Sequence, residues 1–257
     1  MTHQNKNLGQ HWLYDEIVLE AVADSAQVES GDCVLEIGPG LGTLTKILLE
    51  KGATVIAVEK DEALASRLKK SQSLTVVESD ILQFDLTELP AGYKVAANIP
   101  YYLTSPLIRK LLESENQPAA IGLLIQKEVA ERIVAKPGAM SILSVSVQYY
   151  ADVSLGAVVP ADLFDPPPKV DSQIISIKPN DQPAFEANPE KLFRLVKAGF
   201  GEKRKKLHNS LSGGLQLDKE ITRKLLDKAQ LDPNIRAQEL SIYDWERLYN
   251  AYIVTVS

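Results

Sequence analysis

The chain has 257 residues, with 28 Lys and Arg, 34 Asp and Glu, 3 His, 1 Cys and a formal net charge of −6. This length, with 45% hydrophobic residues, allows one large domain or a medium domain plus a small one, with a core that needs no covalent staples. One cysteine excludes a disulfide framework, and with only His3, His11 and His208 beside it no metal set of the usual zinc spacing can be written. The longest apolar run, Ala119 to Ile125, is far too short to span a membrane. The polar opening, residues 1–10, has neither the apolar stretch of a signal peptide nor the Arg-rich pattern of a transit peptide. The expectation is a soluble, cytoplasmic, monomeric protein without a membrane partner.

Short apolar runs alternate with helical patterns over the first 180 residues. Cys33–Ile37 reads as a buried strand, followed by Leu41, Leu44, Ile47 and Leu48 at helical spacing and closed by Lys51-Gly52. Thr54–Val58 is a second strand, Asp61–Lys70 a second helix, and Leu74–Val77 and Tyr93–Ala97 are further strands. Ser105-Pro106 has the form of an N-cap followed by proline at the first helical position. Ile121–Gln126 and Asp171–Ile177 are the last strands. Such alternation argues for an α/β fold, a parallel sheet with helices on both faces.

Lys178-Pro179-Asn180-Asp181-Gln182-Pro183 has the composition of a linker. Charge shifts there as well: residues 1–180 carry 15 basic and 23 acidic side chains, residues 181–257 carry 13 and 11. Beyond it the pattern is helical only, marked by Leu192, Leu195 and Val196, by Ile221, Leu225 and Leu226, and by Trp245, Leu248, Tyr249 and Tyr252. The expected organisation is a catalytic domain over 1–180 and a small all-α domain over 181–257.

Glu36-Ile37-Gly38-Pro39-Gly40-Leu41-Gly42 joins the first strand to its helix. Glycines there let the backbone turn tightly and approach a ligand in the crevice at the carboxyl ends of the strands. Glu59 ends the next strand, where a carboxylate can accept both hydroxyls of a ribose. A dinucleotide fingerprint would place its third glycine one residue later than Gly42, and Glu36 would repel a pyrophosphate but suit an ammonium group. S-adenosylmethionine has that ammonium, a ribose and no phosphate, so this donor leads a nicotinamide or flavin cofactor and a tight turn with no ligand. Asp80, just past the third strand, is placed to accept from an adenine amino group, or is an ordinary turn aspartate.

Asn98-Ile99-Pro100-Tyr101 follows the fourth of these strands at the same edge. The loop suits methyl transfer to an amine conjugated with a ring. Such a nitrogen is a poor nucleophile that needs acceptors for its protons rather than a strong base. The Asn98 side-chain oxygen and the Ile99 carbonyl can supply these acceptors, Pro100 stiffens the loop, and Tyr101 offers a face on which a base can stack. A plain strand-ending turn is the other reading of these residue types.

Taken together, the motifs resemble those of the ribosomal RNA adenine dimethylase family, in particular small-subunit enzymes of the KsgA type. The resemblance runs from Leu8 to about Asn250. It is carried by Leu8-Gly9-Gln10-His11-Trp12-Leu13, the glycine loop, Asn98–Tyr101, Gln126-Lys127-Glu128-Val129 with Arg132, Val159–Ser172 and Lys203–Leu211. It implies a Rossmann-like methyltransferase sheet with a small helical domain, S-adenosylmethionine as donor and no metal. The implied substrate is small-subunit rRNA within the immature small ribosomal subunit. There the N6 of each of two adjacent adenosines, in the hairpin loop near the 3′ end, would be dimethylated. By motif, His11, Leu13, Gly38, Glu59, Asp80 and Asn98 would contact the donor, and Asn98, Ile99 and Tyr101 would hold the target amine. Phe164 would stack on the flipped base, or alternatively plug its Pro-rich loop onto the sheet. Two departures from the pattern are Trp12, where phenylalanine is usual, and Met140-Ser141-Ile142, where a Tyr-Gly-Arg run is usual.

Residues 191–211 hold seven Lys and Arg against one acid, Glu202. Lys203, Arg204, Lys205 and Lys206 are the densest part and the best candidates for RNA phosphate contact, although charge runs are commonly just a solvated face. His3 and His208 read as surface residues and Cys33 as core. Two other functions stay open at this stage: a large-subunit rRNA dimethyltransferase of the macrolide-resistance type, and a non-catalytic ribosome-assembly or transcription factor on the same fold.

Overall fold

The computed structural model describes residues 11–256 apart from Lys69, Lys70 and Lys203. His3, Lys6, the Leu8-Gly9-Gln10 part of the first motif and Lys203 therefore lie outside the described residues. In chain order the elements are β1 (Trp12–Leu13), α1 (Glu16–Ser25), β2 (Cys33–Ile37), α2 (Thr43–Glu50), β3 (Thr54–Glu59), α3 (Glu62–Ala65), β4 (Leu74–Glu78), β5 (Lys94–Asn98), α4 (Thr104–Leu112), β6 (Ala120–Gln126), α5 (Lys127–Ile133) and α6 (Ile142–Gln148). There follow β7 (Ala151–Val159), β8 (Phe164–Asp165), β9 (Ser172–Pro179), α7 (Pro189–Phe200), α8 (Leu207–Leu215), α9 (Lys219–Lys228) and α10 (Ile242–Val256).

Contacts divide the chain into two compact units, one of residues 1–131 with 152–179, the other of 132–151 with 180–257. The sequence reading places 132–151 in the first domain, whereas these residues cluster with the C-terminal helices.

In the first unit a seven-stranded sheet has the order β4-β3-β2-β5-β6-β9-β7. β2 pairs in parallel with β3 and β5, β3 with β4, and β5 with β6, while β9 runs antiparallel to β6. The sheet is thus mixed rather than wholly parallel. Strands buried on both faces are near-continuous apolar runs, and these are. Val34, Val55, Ala57, Val76, Ala96, Leu124 and Ile174 form a core with Leu19, Val22 and Ala23 of α1 and Leu44, Ile47 and Leu48 of α2. The alternate residues Leu35, Ile37, Val58, Val95, Ala97 and Leu123 are also buried, as are Leu107, Ile108, Leu111 and Leu112 of α4.

Two local expectations change. The fourth helix begins at Thr104, not after Ser105, so Pro106 falls inside the first turn, where its missing N–H costs nothing. The helix after β3 spans only Glu62–Ala65, capped by Asp61, whose side chain accepts from the Leu64 N–H.

In the second unit Tyr149, Phe185 and Phe193 pack edge to face, and the Phe200 and Trp245 rings stack at 5.7 Å. Asn188 caps α7, with Pro189 in its first turn. The Met140-Ser141-Ile142 departure has a local reason. Ser141 forms a capping box with Ser144 at the start of α6, and Met140 is buried with its N–H donated to the Gln238 carbonyl. His208 is buried rather than on the surface, its Nδ1 3.1 Å from the Pro233 carbonyl. Cys33 is only partly buried.

Candidate active site

The strand order reverses between β2 and β5: β3 and β4 continue to one side of β2, while β6 lies beyond β5. Ligands of open α/β sheets sit outside the carboxyl ends of the strands at such a point. One cavity of the first unit opens there. It brings together the glycine loop, Glu59, Asp80, Asn98–Tyr101, Phe164 and, from the N-terminal end of the chain, His11, Trp12 and Leu13.

Gly38, Gly40 and Gly42 all adopt positive φ, at 65°, 56° and 80°. The surroundings of Gly38 and Gly40 differ. A β-carbon at Gly38 would meet no atom within 4 Å, so the missing side chain leaves open space at the cavity wall. A β-carbon at Gly40 would lie 2.5 Å from the Trp12 ring. Glu59 holds this loop. Its Oε2 accepts from the Gly40 N–H at 3.1 Å and its Oε1 from the Asp61 N–H at 2.9 Å. A carboxylate has about four acceptor positions, so lone pairs remain on Glu59 for hydroxyls of a ligand.

Glu36 is 1% exposed, and its Oε2 has no hydrogen-bond partner. Burial pushes its carboxyl up to about 8; Thr45 acts in the opposite direction, and the charge of Glu59 adds to the rise. An unpartnered buried carboxyl oxygen on a cavity wall matches a cationic group, whose charge would stabilise the ionised form. Asp80 accepts from Lys60 Nζ at 2.9 Å and from the Leu82 N–H at 2.9 Å, and Lys60 holds its carboxyl below the usual range.

The opposite wall is the loop after β5. The Asn98 amide nitrogen faces the His11 carbonyl at 3.5 Å, which turns its Oδ1 the other way. The Tyr101 and His11 rings are 25° from parallel, with centroids 6.0 Å apart, and the Tyr101 hydroxyl is 2.9 Å from Ser172 Oγ. Burial pushes that hydroxyl up, so it stays protonated. Phe164 lines the cavity but is only 5% exposed and packs in the same core cluster as Leu13, Val159 and Ile174. The plug that the sequence allows is therefore one thing this ring does.

Sequence reasoning without the resemblance misses how the N-terminal end reaches the site. β1 pairs antiparallel with β8, Trp12 opposite Asp165 and Leu13 opposite Phe164, and His11 Nδ1 lies 2.7 Å from the Pro166 carbonyl. No local pattern announces a two-residue ribbon.

In the second unit Arg204, Lys205 and Lys206 are exposed. Lys205 pairs with Glu202 at 2.8 Å, and Lys206 donates to Asn234 Oδ1. Both partnered groups are solvent-facing, and such pairs contribute little to stability. Among the described residues no helix is long and apolar enough to cross a membrane.

Comparison with known proteins places this arrangement. The model of the ribosomal RNA adenine dimethylase family matches residues 1–253. A ribosomal RNA small subunit methyltransferase A of Rippkaea orientalis is 43% identical over the full length of both chains. One from Dehalococcoides mccartyi is 41% identical over 96% of this chain and 88% of its own. The solved dimethyladenosine transferase of Plasmodium falciparum superposes with a TM-score of 0.82 at 28% identity, covering 96% of this chain and 98% of the other. The 23S rRNA methyltransferase ErmE shares the fold, with a TM-score of 0.72 at 24% identity over 93% of this chain and 98% of its own. The chain belongs to the ribosomal RNA adenine dimethylase family.

Proposed function

We propose that the protein uses S-adenosylmethionine to dimethylate the N6 of two adjacent adenosines in the hairpin loop near the 3′ end of small-subunit rRNA. One observation carries this reading. In a chain of the rRNA adenine dimethylase family, a single cavity is lined by Glu59, by Glu36 with its unpartnered buried oxygen, and by the Asn98-Ile99-Pro100-Tyr101 loop. The names of the full-length relatives point to the small subunit as the substrate particle.

When bound, the donor supplies a methyl group on a sulfonium. The residues of the chain divide the remaining work. Glu36 would hold the ammonium, Glu59 the ribose hydroxyls and Asp80 the adenine, and Gly38 leaves the space. His11 and Leu13 close the wall from the N-terminal side. Asn98 Oδ1 and the Ile99 carbonyl accept the two N6 protons of the target adenine, which draws the nitrogen lone pair out of conjugation and toward the methyl carbon. Pro100 keeps that carbonyl turned inward, and Tyr101 and Phe164 wall the flipped base. Each methyl that the donor would supply displaces one N6 proton to solvent, so both acceptors would be engaged in the first transfer and one of them in the second. Arg204, Lys205 and Lys206, with Lys203, meet rRNA phosphates. The immature small ribosomal subunit is the partner particle, and the enzyme acts as a cytoplasmic monomer.

The test is methyl transfer from labelled donor to undermethylated small subunits, with large subunits in parallel and nucleoside analysis of the product. Dimethyladenosine from small subunits alone supports the proposal. Label in large-subunit RNA moves the protein to the resistance-type activity, and donor binding with no transfer to either makes it a non-catalytic factor.

A further inference from the structure

The Tyr101 hydroxyl does not face the acceptor side of the site. It reaches across the sheet. Tyr101 follows β5, and its partner Ser172 opens β9, with β6 lying between these strands. Ser172 is fully buried, stands opposite Gln126 in the β6–β9 register, and meets the tyrosine hydroxyl at 2.9 Å. The preceding residue has a second task. Asp171 Oδ1 accepts from the Ala161 N–H at 3.0 Å, in the short helical turn Ala161–Leu163 that leads into Phe164. Asp171 is itself anchored at the end of β6, its carbonyl accepting from the Lys127 N–H at 3.0 Å.

We infer that Asp171 and Ser172 are positioning residues for methyl transfer, one dipeptide that sets both aromatic walls of the base pocket, Phe164 through the Ala161 turn and Tyr101 through its hydroxyl. The inference rests on the function proposed above. Its physical content is preorganisation. A ring held by its hydroxyl to a buried side chain at the start of a paired strand cannot swing away when a base enters, so the entering base orders less of the protein. The same bond occupies the hydroxyl, which makes Tyr101 a wall and not an acid or base.

The test is a double-mutant cycle on Ser172→Ala and Tyr101→Phe, reading single-turnover methyl transfer to undermethylated small subunits, donor affinity and melting temperature. Each single variant is expected to transfer about five- to thirtyfold more slowly, the range of one buried hydrogen bond. Donor affinity and the pH profile stay those of the wild type. The double variant is expected to be no slower than the slower single one, because each change breaks the same bond. Asp171→Ala slows transfer in the same way, again with donor affinity retained. Multiplying effects in the cycle, or a Tyr101→Phe enzyme of wild-type speed beside a slow Ser172→Ala, overturns the role of Ser172. An unimpaired Asp171→Ala enzyme overturns that of Asp171. Failure of the wild-type protein to methylate small subunits would instead remove the functional reading itself.

Discussion

The Trp12 ring occupies the place where a side chain on Gly40 would stand, with a β-carbon there falling 2.5 Å from it. The tryptophan belongs to the β1–β8 ribbon, so the donor-side glycine loop and the Phe164 segment are packed through one indole. Gly40→Ala would both displace that ring and force an alanine to a φ of 56°. The expected outcome is a loss of about 1–3 kcal/mol of stability and at least roughly a tenfold weaker donor affinity, measured by thermal unfolding and calorimetric titration with S-adenosylmethionine.

Glu59 holds the loop, and in the proposed function the same carboxylate would accept from the ribose hydroxyls. Glu59→Gln keeps the shape but puts an amide NH2 against the N–H of Gly40 or Asp61, replacing an acceptor by a donor. Donor affinity should fall by about 2–4 kcal/mol, more than loss of one ligand contact costs, because the loop loses its brace too. Calorimetric titration measures this directly.

Glu36 makes stability depend on pH in an unusual direction for a carboxylate. Its folded pKa of about 8 lies above the ordinary 4.5, so between these values the folded protein holds a proton that the unfolded chain has released. Stability without donor should therefore fall as pH rises from about 4.5 to 8, and Glu36→Gln should flatten this slope. Donor binding at pH 7 should release a proton from the wild type and none from Glu36→Gln, measured by calorimetry in buffers of different ionisation enthalpy.

Much of this site is legible in the sequence, and the rest is hidden for physical reasons. β2, β3 and β5 are short apolar runs because both their faces are largely buried, β4 is an edge strand marked by alternation, and the glycine loop, Glu59 and Asn98 fall at the strand ends by simple counting. β7 gives no such signal. It is an edge strand, and most of Ala151–Val159 is exposed, so neither alternation nor a buried run marks it. The antiparallel course of β9 depends on long-range pairing, and the β1–β8 ribbon joins residues more than 150 positions apart. His208 reads as a surface residue because it follows a basic run, whereas its ring is held to the Pro233 carbonyl. The Tyr101–Ser172 bond crosses a whole strand and has no local signature.

The basic run makes a separable prediction. Replacing Lys203, Arg204, Lys205 and Lys206 by glutamine should weaken rRNA binding and make its dependence on log salt shallower by roughly three, since each phosphate contact adds about 0.7 to 0.9 to the slope. Donor affinity should not change. Filter binding across a salt series reads both quantities, and an unaltered slope removes these side chains from the RNA contact.

The central claim is that the loop after β5 accepts the target amine, and Asn98 tests it most directly. Single-turnover methyl transfer to undermethylated small subunits should be compared between the wild type and Asn98→Ala, at donor concentrations that saturate both. Loss of one preorganised acceptor at a reacting nitrogen is expected to slow transfer by about a hundredfold or more, with dimethyladenosine the wild-type product. A variant that transfers within about threefold of the wild-type rate would contradict the claim.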